Sequence, residues 1–491
     1  MLKKFPYITI SLRSSGRWIL FIIMLVLGLW PILTTVIVAD DLVGPFAMYV
    51  NAGPDLLSNL RVGYEAASYG HFNYLGQITG GFVNWLWLHL MVHGFRYSTI
   101  YALTKFIVFF FLIVQATRVT NRILVLGGSL VSMWTLRTTI GLCVIGTFQL
   151  HLVWSNDPVG SYPMSGYMSI LIGLCALETL IIAMYKPSIR NSILGALALL
   201  VACLYYEMNV VVFFALAVLM THYLIVNWDQ RKSVIRKIAP LSILSIFVAL
   251  VILFLQHQNS AKSAQYTGTA VALGGKTTAT FGRLLVSNLP LSSWHLGLDW
   301  IQNVVPAKLL DLSVMATIGV IAYILLKGSN KPVLYLRSVS LVSLTFIALG
   351  ASSTFVQAAT QKVQDEATRI GSVYNFYAVG STAVVVILSL FLIWLFSCKR
   401  SIGILILPFL VVAASFQFML NSAIQENHYQ FFTSSRNLLV AYTENWGKKA
   451  RCEALGKWLE YPWPAYYSNS LATGMEWSYL QAHGKKFCGR Y

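Results

Sequence analysis

The sequence predicts an all-helical bundle embedded in a membrane, and three observations predict it. Hydrophobic residues make up 57% of the 491-residue chain and charged residues only 11%, with a mean hydropathy of +0.67. Soluble globular domains do not have that composition. The apolar residues gather into runs of roughly 20, the length that crosses the hydrocarbon as a helix. The Lys and Arg residues recur in short clusters between those runs, although the net charge reaches +18. Such spacing is a topology signal, whereas a nucleic-acid-binding face would gather the charge in one place, so no nucleic-acid partner is expected.

In chain order, spans are predicted at 18–38, 98–117, 123–146, 162–184, 191–206, 209–227, 238–256, 309–326, 334–355, 376–397 and 402–420, about eleven on the length criterion. The aromatic stretch 79–95 is kept out because of the charges that follow it. Counting it as a span would place Arg118 and Arg122 outside and invert every later loop. Leaving it out places Lys3, Lys4, Arg13, Arg17, Arg118, Arg122, Lys186, Arg190 and the cluster 231–237 on the cytoplasmic side. Lys327, Lys331, Arg337, Lys399 and Arg400 join them, with Asp229 almost alone among the acids there. That is the positive-inside pattern. The stretch 79–95 is then expected to lie as a helix in the outer interface, which suits Trp85, Trp87, His89 and His93.

The amino terminus is accordingly cytoplasmic, and the outward segments are 40–97, 147–161, 257–308, 356–375 and a tail, dividing the chain into 1–420 and 421–491. The tail is too small and too rich in Trp and Tyr to stand alone and is expected to pack on the membrane region. A signal peptide cleaved after Ala39 is disfavoured because its apolar run is too long. Cys452 and Cys488 fall in the tail, where one disulfide is open to them. No Cys/His cluster has zinc spacing. Gly275-Lys276-Thr277 imitates a phosphate-binding loop, but Ala270 stands where the first glycine is required.

The acidic pair Asp40-Asp41 follows directly on the first span. One reading makes it the cap of a following helix, Leu42 to Val50, complementing free amides and the helix dipole. The other makes it a general base, because carboxylates at the edge of low dielectric can gain proton affinity. Tyr205-Tyr206-Glu207 ends the fifth span, and a tight outward hairpin there would turn Glu207 toward the cavity of the acidic pair. Trp154-Ser155-Asn156-Asp157-Pro158 reads as a turn, or as polar sugar contacts beside a stacking Trp. Trp294-His295 with Asp299-Trp300 reads as an interfacial contact, a sugar contact or half of a metal site, and His71-Phe72-Asn73 poses the same choice. Lys105, Arg137 and Glu178 are isolated charges within spans, expected to be paired in the bundle or to snorkel.

Ala39-Asp40-Asp41, then Gly80-Gly81-Phe82-Val83-Asn84-Trp85, then Phe95-Arg96-Tyr97-Ser98 leading into a span closed by Arg118 and Arg122, resemble the GT-C class of integral-membrane glycosyltransferases. Within that class the chain is most similar to bacterial and phage-type enzymes that decorate surface polysaccharide, such as O-antigen glucosyltransferases. The resemblance covers the membrane region in outline and leaves the tail unmatched. It implies a bacterial inner-membrane enzyme that moves a sugar from a polyprenyl-phosphate carrier to a glycan or lipid-linked acceptor on the outer face, among membrane lipids. Asp40 and Asp41 would be catalytic, with Asp40 the base and inversion the outcome. Arg369, Arg283 and Lys276 would bind the donor phosphate, ahead of Lys262, Lys362 and Arg436. His71, Glu207, Asp157 and His295 would contact substrate. No cofactor is implied with certainty, and a divalent cation stays open because members of the class differ. A polysaccharide polymerase or ligase, or a transporter or lipid flippase, is the competing expectation.

Overall fold

A computed structural model describes residues 14–37, 39–67, 72–150, 163–262, 270–290, 292, 309–327, 332–368, 370, 378–398, 400–444, 446–461 and 465–489. The described residues are helical throughout, joined by two isolated β-bridges. The helices are α1 (Ser14–Leu33), α2 (Ala39–Ala52), α3 (Leu56–Ala66), α4 (Tyr74–Val92), α5 (Tyr97–Leu126), α6 (Met133–Thr147), α7 (Tyr167–Tyr185) and α8 (Ile189–Tyr205). They continue with α9 (Val212–Val226), α10 (Arg231–Lys262), α11 (Gly275–Ser287), α12 (Leu309–Lys327), α13 (Leu336–Ala358), α14 (Gln361–Glu366), α15 (Ala378–Cys398) and α16 (Arg400–Phe431). The last three are α17 (Thr433–Thr443), α18 (Lys448–Leu459) and α19 (Ala465–His483).

Among the described residues, six helical segments are long and apolar enough to cross a membrane: Ser14–Leu33, Tyr97–Leu126, Tyr167–Tyr185, Glu207–Val226, Trp228–Asn259 and Leu336–Ala358. Ile189–Tyr205 and Val379–Leu395 are apolar but shorter. Helix α4, which contains most of the stretch 79–95, is not among the six. Its Gln77, Asn84 and His89 dilute the apolar run. The helix start after the first span also differs from expectation. α2 begins at Ala39 rather than at Leu42, so the acidic pair lies inside the first turn instead of preceding it.

Contacts between helix ends sort into two groups. At one end, Gln425 and Tyr429 of α16 bond Thr34 after α1, and Asn421 bonds the backbone of Phe148 and Leu150 after α6. Gln149 donates to Ser292, Tyr205 to the carbonyl of Met164, and Arg96 pairs with Glu444. Val271 bridges Thr360. At the other end, Leu130 after α5 bridges Val333 before α13, and the Tyr335 amide donates to Ser129. Tyr185 interacts there with Arg122 and Tyr223, and His222 with Arg337. Segments read from sequence as sharing a membrane side therefore meet each other.

The bundle has one large apolar core formed by its long helices. A second core joins α2, α4 and the start of α5 to α17, α18 and α19. The tail thus packs on α2, α4 and the start of α5, where packing on the membrane region was expected, and the division at 420/421 falls inside the continuous helix α16. Gly474 makes the α2–α19 contact this close, because a Cβ there would collide with the backbone carbonyl of Phe46. Cys452 and Cys488 form a disulfide. It ties α18 to the turn after α19, where buried Arg451 donates to the carbonyls of Trp446, Phe487 and Lys486. Buried Glu476 accepts from the amides of Cys488 and Gly489. Each ionised side chain here is met by several backbone dipoles, the condition under which a buried charge is tolerated.

Candidate functional site

The joint between α1 and α2 carries the site. α1 ends with carbonyls that have no helical partner, and Lys105, fully buried on α5, supplies one. Its Nζ donates to the carbonyl of Ile32 at 2.7 Å and to the hydroxyl of Thr35 at 2.6 Å. A cation at a helix carboxyl end also complements the dipole. The ammonium lies 4.6 Å from the centre of the Tyr101 ring. Tyr101 donates its hydroxyl to the Asp41 carboxylate, and Tyr97 donates to the Asp41 backbone carbonyl. Residues 97, 101 and 105 follow one another at four-residue spacing on α5, which places them on one helix face. That face presents two phenols and an ammonium to the joint.

Aromatic packing fixes the phenols. Trp87 of α4 meets Tyr97 and Tyr101 edge-on at 5.7 and 5.6 Å, and its indole N–H donates to Thr104 at 3.2 Å. Trp85 fastens α4 to the α2–α3 turn by donating to the carbonyl of Pro54. Gly81 lets α3 and α4 touch, since a Cβ there would come within 2.5 Å of the carbonyl of Asn59. Farther along α2, Tyr49 donates to Gln481 of α19, and burial pushes its phenol up. Tyr442 of the tail is pushed up by burial as well. Asp55 caps α3, and the Ser58 amide holds its carboxyl below the ordinary value.

Asp41 is half-buried and hydrogen-bonded, in the first turn of α2. The Tyr101 phenol therefore fixes the Asp41 side chain as a hydrogen-bond acceptor at the start of α2. The backbone of Asp40 lies in the same turn, and its side chain lies outside the described residues.

The other residues singled out in the sequence are distributed. Glu207 occupies the 3-10 turn Glu207–Val211 between α8 and α9, the tight hairpin expected there. This turn meets the far end of α4, where the Tyr205 carbonyl abuts Gly76. Trp87 meets the acidic joint at the near end. Residues 76 and 87 are roughly 16 Å apart at the helical rise, so α4 runs between Glu207 and Asp41.

Arg283 of α11 donates to the carbonyl of Thr368 at 3.0 Å and to the Thr280 hydroxyl at 3.1 Å. Gln364 donates to Ala272, Thr277 and Ala358. The segments 270–290 and 356–368 are thereby joined into a second unit with its own small core. Lys276 is exposed on that unit. Burial pushes the carboxyl of Glu366 there up. α11 packs on α13 and α14, whereas α2 packs on α3, α4 and α19. Arg436 reaches toward the joint, lying 5.6 Å from the ring of Tyr429, whose hydroxyl donates to Thr34. Arg369, His71, Asp157 and His295 lie outside the described residues. Among the described residues no group of three or more His, Cys, Asp or Glu side chains could hold a metal ion.

Sequence reading missed Tyr101, Thr34, Thr35, Gln425 and Tyr429. The four-residue stripe Tyr97, Tyr101, Lys105 was the available signal. Of the intramembrane charges, Lys105 is satisfied at the joint. Glu178 of α7 accepts from Gln115 at 2.8 Å, Arg122 at 2.5 Å and Arg118 at 3.1 Å, all on α5. Comparisons of this chain with protein-family models, with curated proteins and with solved structures find no match.

Proposed function

We propose that the protein is an inverting glycosyltransferase of about eleven spans, counted by length, using a polyprenyl-phosphate-linked sugar at the outer face of a bacterial inner membrane. The observation that carries this reading is the α1–α2 joint: an acidic pair directly after the first span, its second carboxylate held by Tyr101 above buried Lys105. The sorting of helix ends supports a multi-span bundle, since α5, α6, α7, α8, α9 and α13 each lead between the two groups of contacts. The tail disulfide supports an outward tail, because such bonds persist in oxidising compartments.

In this reaction Asp40 removes the proton from the acceptor hydroxyl as it attacks the anomeric carbon, and the lipid phosphate departs from the opposite face. Asp41 orients acceptor hydroxyls, with Tyr101 fixing its position. Negative charge grows on the departing phosphate and calls for nearby cations. Arg436 is the first candidate by its connection to the joint. Arg283 and Lys276 of the second unit remain candidates, as does Arg369, which lies outside the described residues. Glycan analysis of the host envelope with the wild-type protein, with Asp40→Asn and without the protein tests the reading. The expected result is a sugar addition that disappears in the last two strains. Identical glycans in all three would end it.

A further inference from the structure

Arg137 of α6 is 7% exposed and lies between two indoles, with its guanidinium 4.1 Å from the Trp18 ring centre and 4.6 Å from that of Trp134. Among the described residues it makes no hydrogen bond and no ion pair, and its Nε is enclosed without an acceptor. Ring faces attract a cation, but they carry no net charge and accept none of its five N–H groups in the fork geometry that a carboxylate or phosphate fits. A charge in this position is costly to leave without a counter-anion.

The surroundings identify the anion. Arg137 sits four residues past the start of α6, roughly 6 Å from that helix end at the helical rise. That end belongs to the face where Leu130 bridges Val333, opposite the acidic joint. A position about one turn inside the end of a helix that crosses a bilayer lies near the boundary between headgroups and acyl chains, where Trp also concentrates. Trp18, Trp134 and Phe110 are half-buried, and Trp18 is in ring contact with both of the others. Helices α1 and α5 expose Ile19, Ile23, Ile107 and Phe111, an apolar track beside the same helices.

We infer that Arg137, Trp18 and Trp134 form a binding site for the phosphate group of a lipid, whose chain lies along the exposed stripe of α1 and α5. The site is separate from the acidic joint and stands whether or not the protein transfers sugar. Two lipid sources share this chemistry, a bulk anionic phospholipid and a polyprenyl monophosphate.

The test uses the full chain in nanodiscs of zwitterionic lipid, supplied separately with phosphatidylglycerol or polyprenyl monophosphate carrying a photoreactive group next to the phosphate. Crosslinked peptides are mapped by mass spectrometry. Labelling is expected at the starts of α1 and α6, and the lipid that labels at lower concentration names the source. In native mass spectrometry Arg137→Gln is expected to need at least tenfold more of that lipid for the same occupancy. Arg137→Lys falls between, because it keeps charge without the planar fork, and Arg61→Gln on exposed α3 changes nothing. If neither lipid labels residues 14–22 or 133–141 of the wild-type protein, the inference is overturned, whatever the folding of the variants. Equal occupancy in wild type and Arg137→Gln overturns it too.

Discussion

Lys105 and Arg137 are both cations buried within long apolar stretches, yet the bundle treats them in opposite ways. Lys105 is met by oxygen: a helix-end carbonyl, a threonine hydroxyl and the edge of a tyrosine network leading to a carboxylate. Arg137 is met by carbon, between two indole faces. A cation whose donors are filled by the protein holds geometry, and one whose donors are left open awaits a ligand. The end of the bundle carrying Lys105 is also roofed by the tail, whereas the Arg137 end borders exposed apolar side chains.

The contrast can be broken most directly through activity. Replacing Asp40 with Asn is expected to lower sugar transfer roughly 10²–10⁴-fold, the usual contribution of a positioned base, measured with purified protein and a polyprenyl-linked donor. An effect of that size from Arg137→Gln with Asp40→Asn silent would reverse the roles assigned to the two ends. Stability comes next. Lys105→Met removes two charge-assisted bonds in a buried site and leaves the Ile32 carbonyl only the weak 3.3 Å bond from Thr35, a loss of about 3 kcal/mol. Arg137→Met, which removes ring contacts but also relieves a buried charge, should cost under about 1 kcal/mol in lipid-free detergent. Thermal unfolding in one detergent compares the two, and equal losses would erase the distinction.

Removing the tail disulfide with Cys452→Ser and Cys488→Ser should cost about 2–4 kcal/mol, the usual range for such a link. It should loosen α17–α19 without disturbing the opposite end, which hydrogen exchange resolves helix by helix. Gly474→Ala is the milder of the two tail perturbations. Its methyl group presses on the Phe46 carbonyl and costs about 1–3 kcal/mol, the range for overpacking. Protection should fall in α2 and α19 and stay unchanged around Arg137.

Much of the architecture was legible in the sequence because bilayer thickness imposes a length on apolar runs and charge clusters mark their ends. The exclusion of 79–95 from the spans rests on the charges that follow it; α4 is not among the six described helices long and apolar enough to cross a membrane, and neither are α6 and α8, which the sequence reads as spans. The start of α2 was misplaced because Asp is compatible with a cap and with a first turn alike, and local sequence does not separate them. The network around Asp41 was invisible for a different reason. Lys105 looks isolated along the chain, and its partners Ile32 and Thr35 come close only when α1 packs on α5. The packing of α19 on α2 was beyond reach as well, since the Gly474 contact joins segments far apart in the chain.

That last contact has a consequence for biogenesis. α2 precedes α17–α19 by more than 380 residues, so its buried apolar face, Leu42, Phe46 and Tyr49, is synthesised well before the helices that cover it. Products truncated before α17 would carry α2 with that face uncovered.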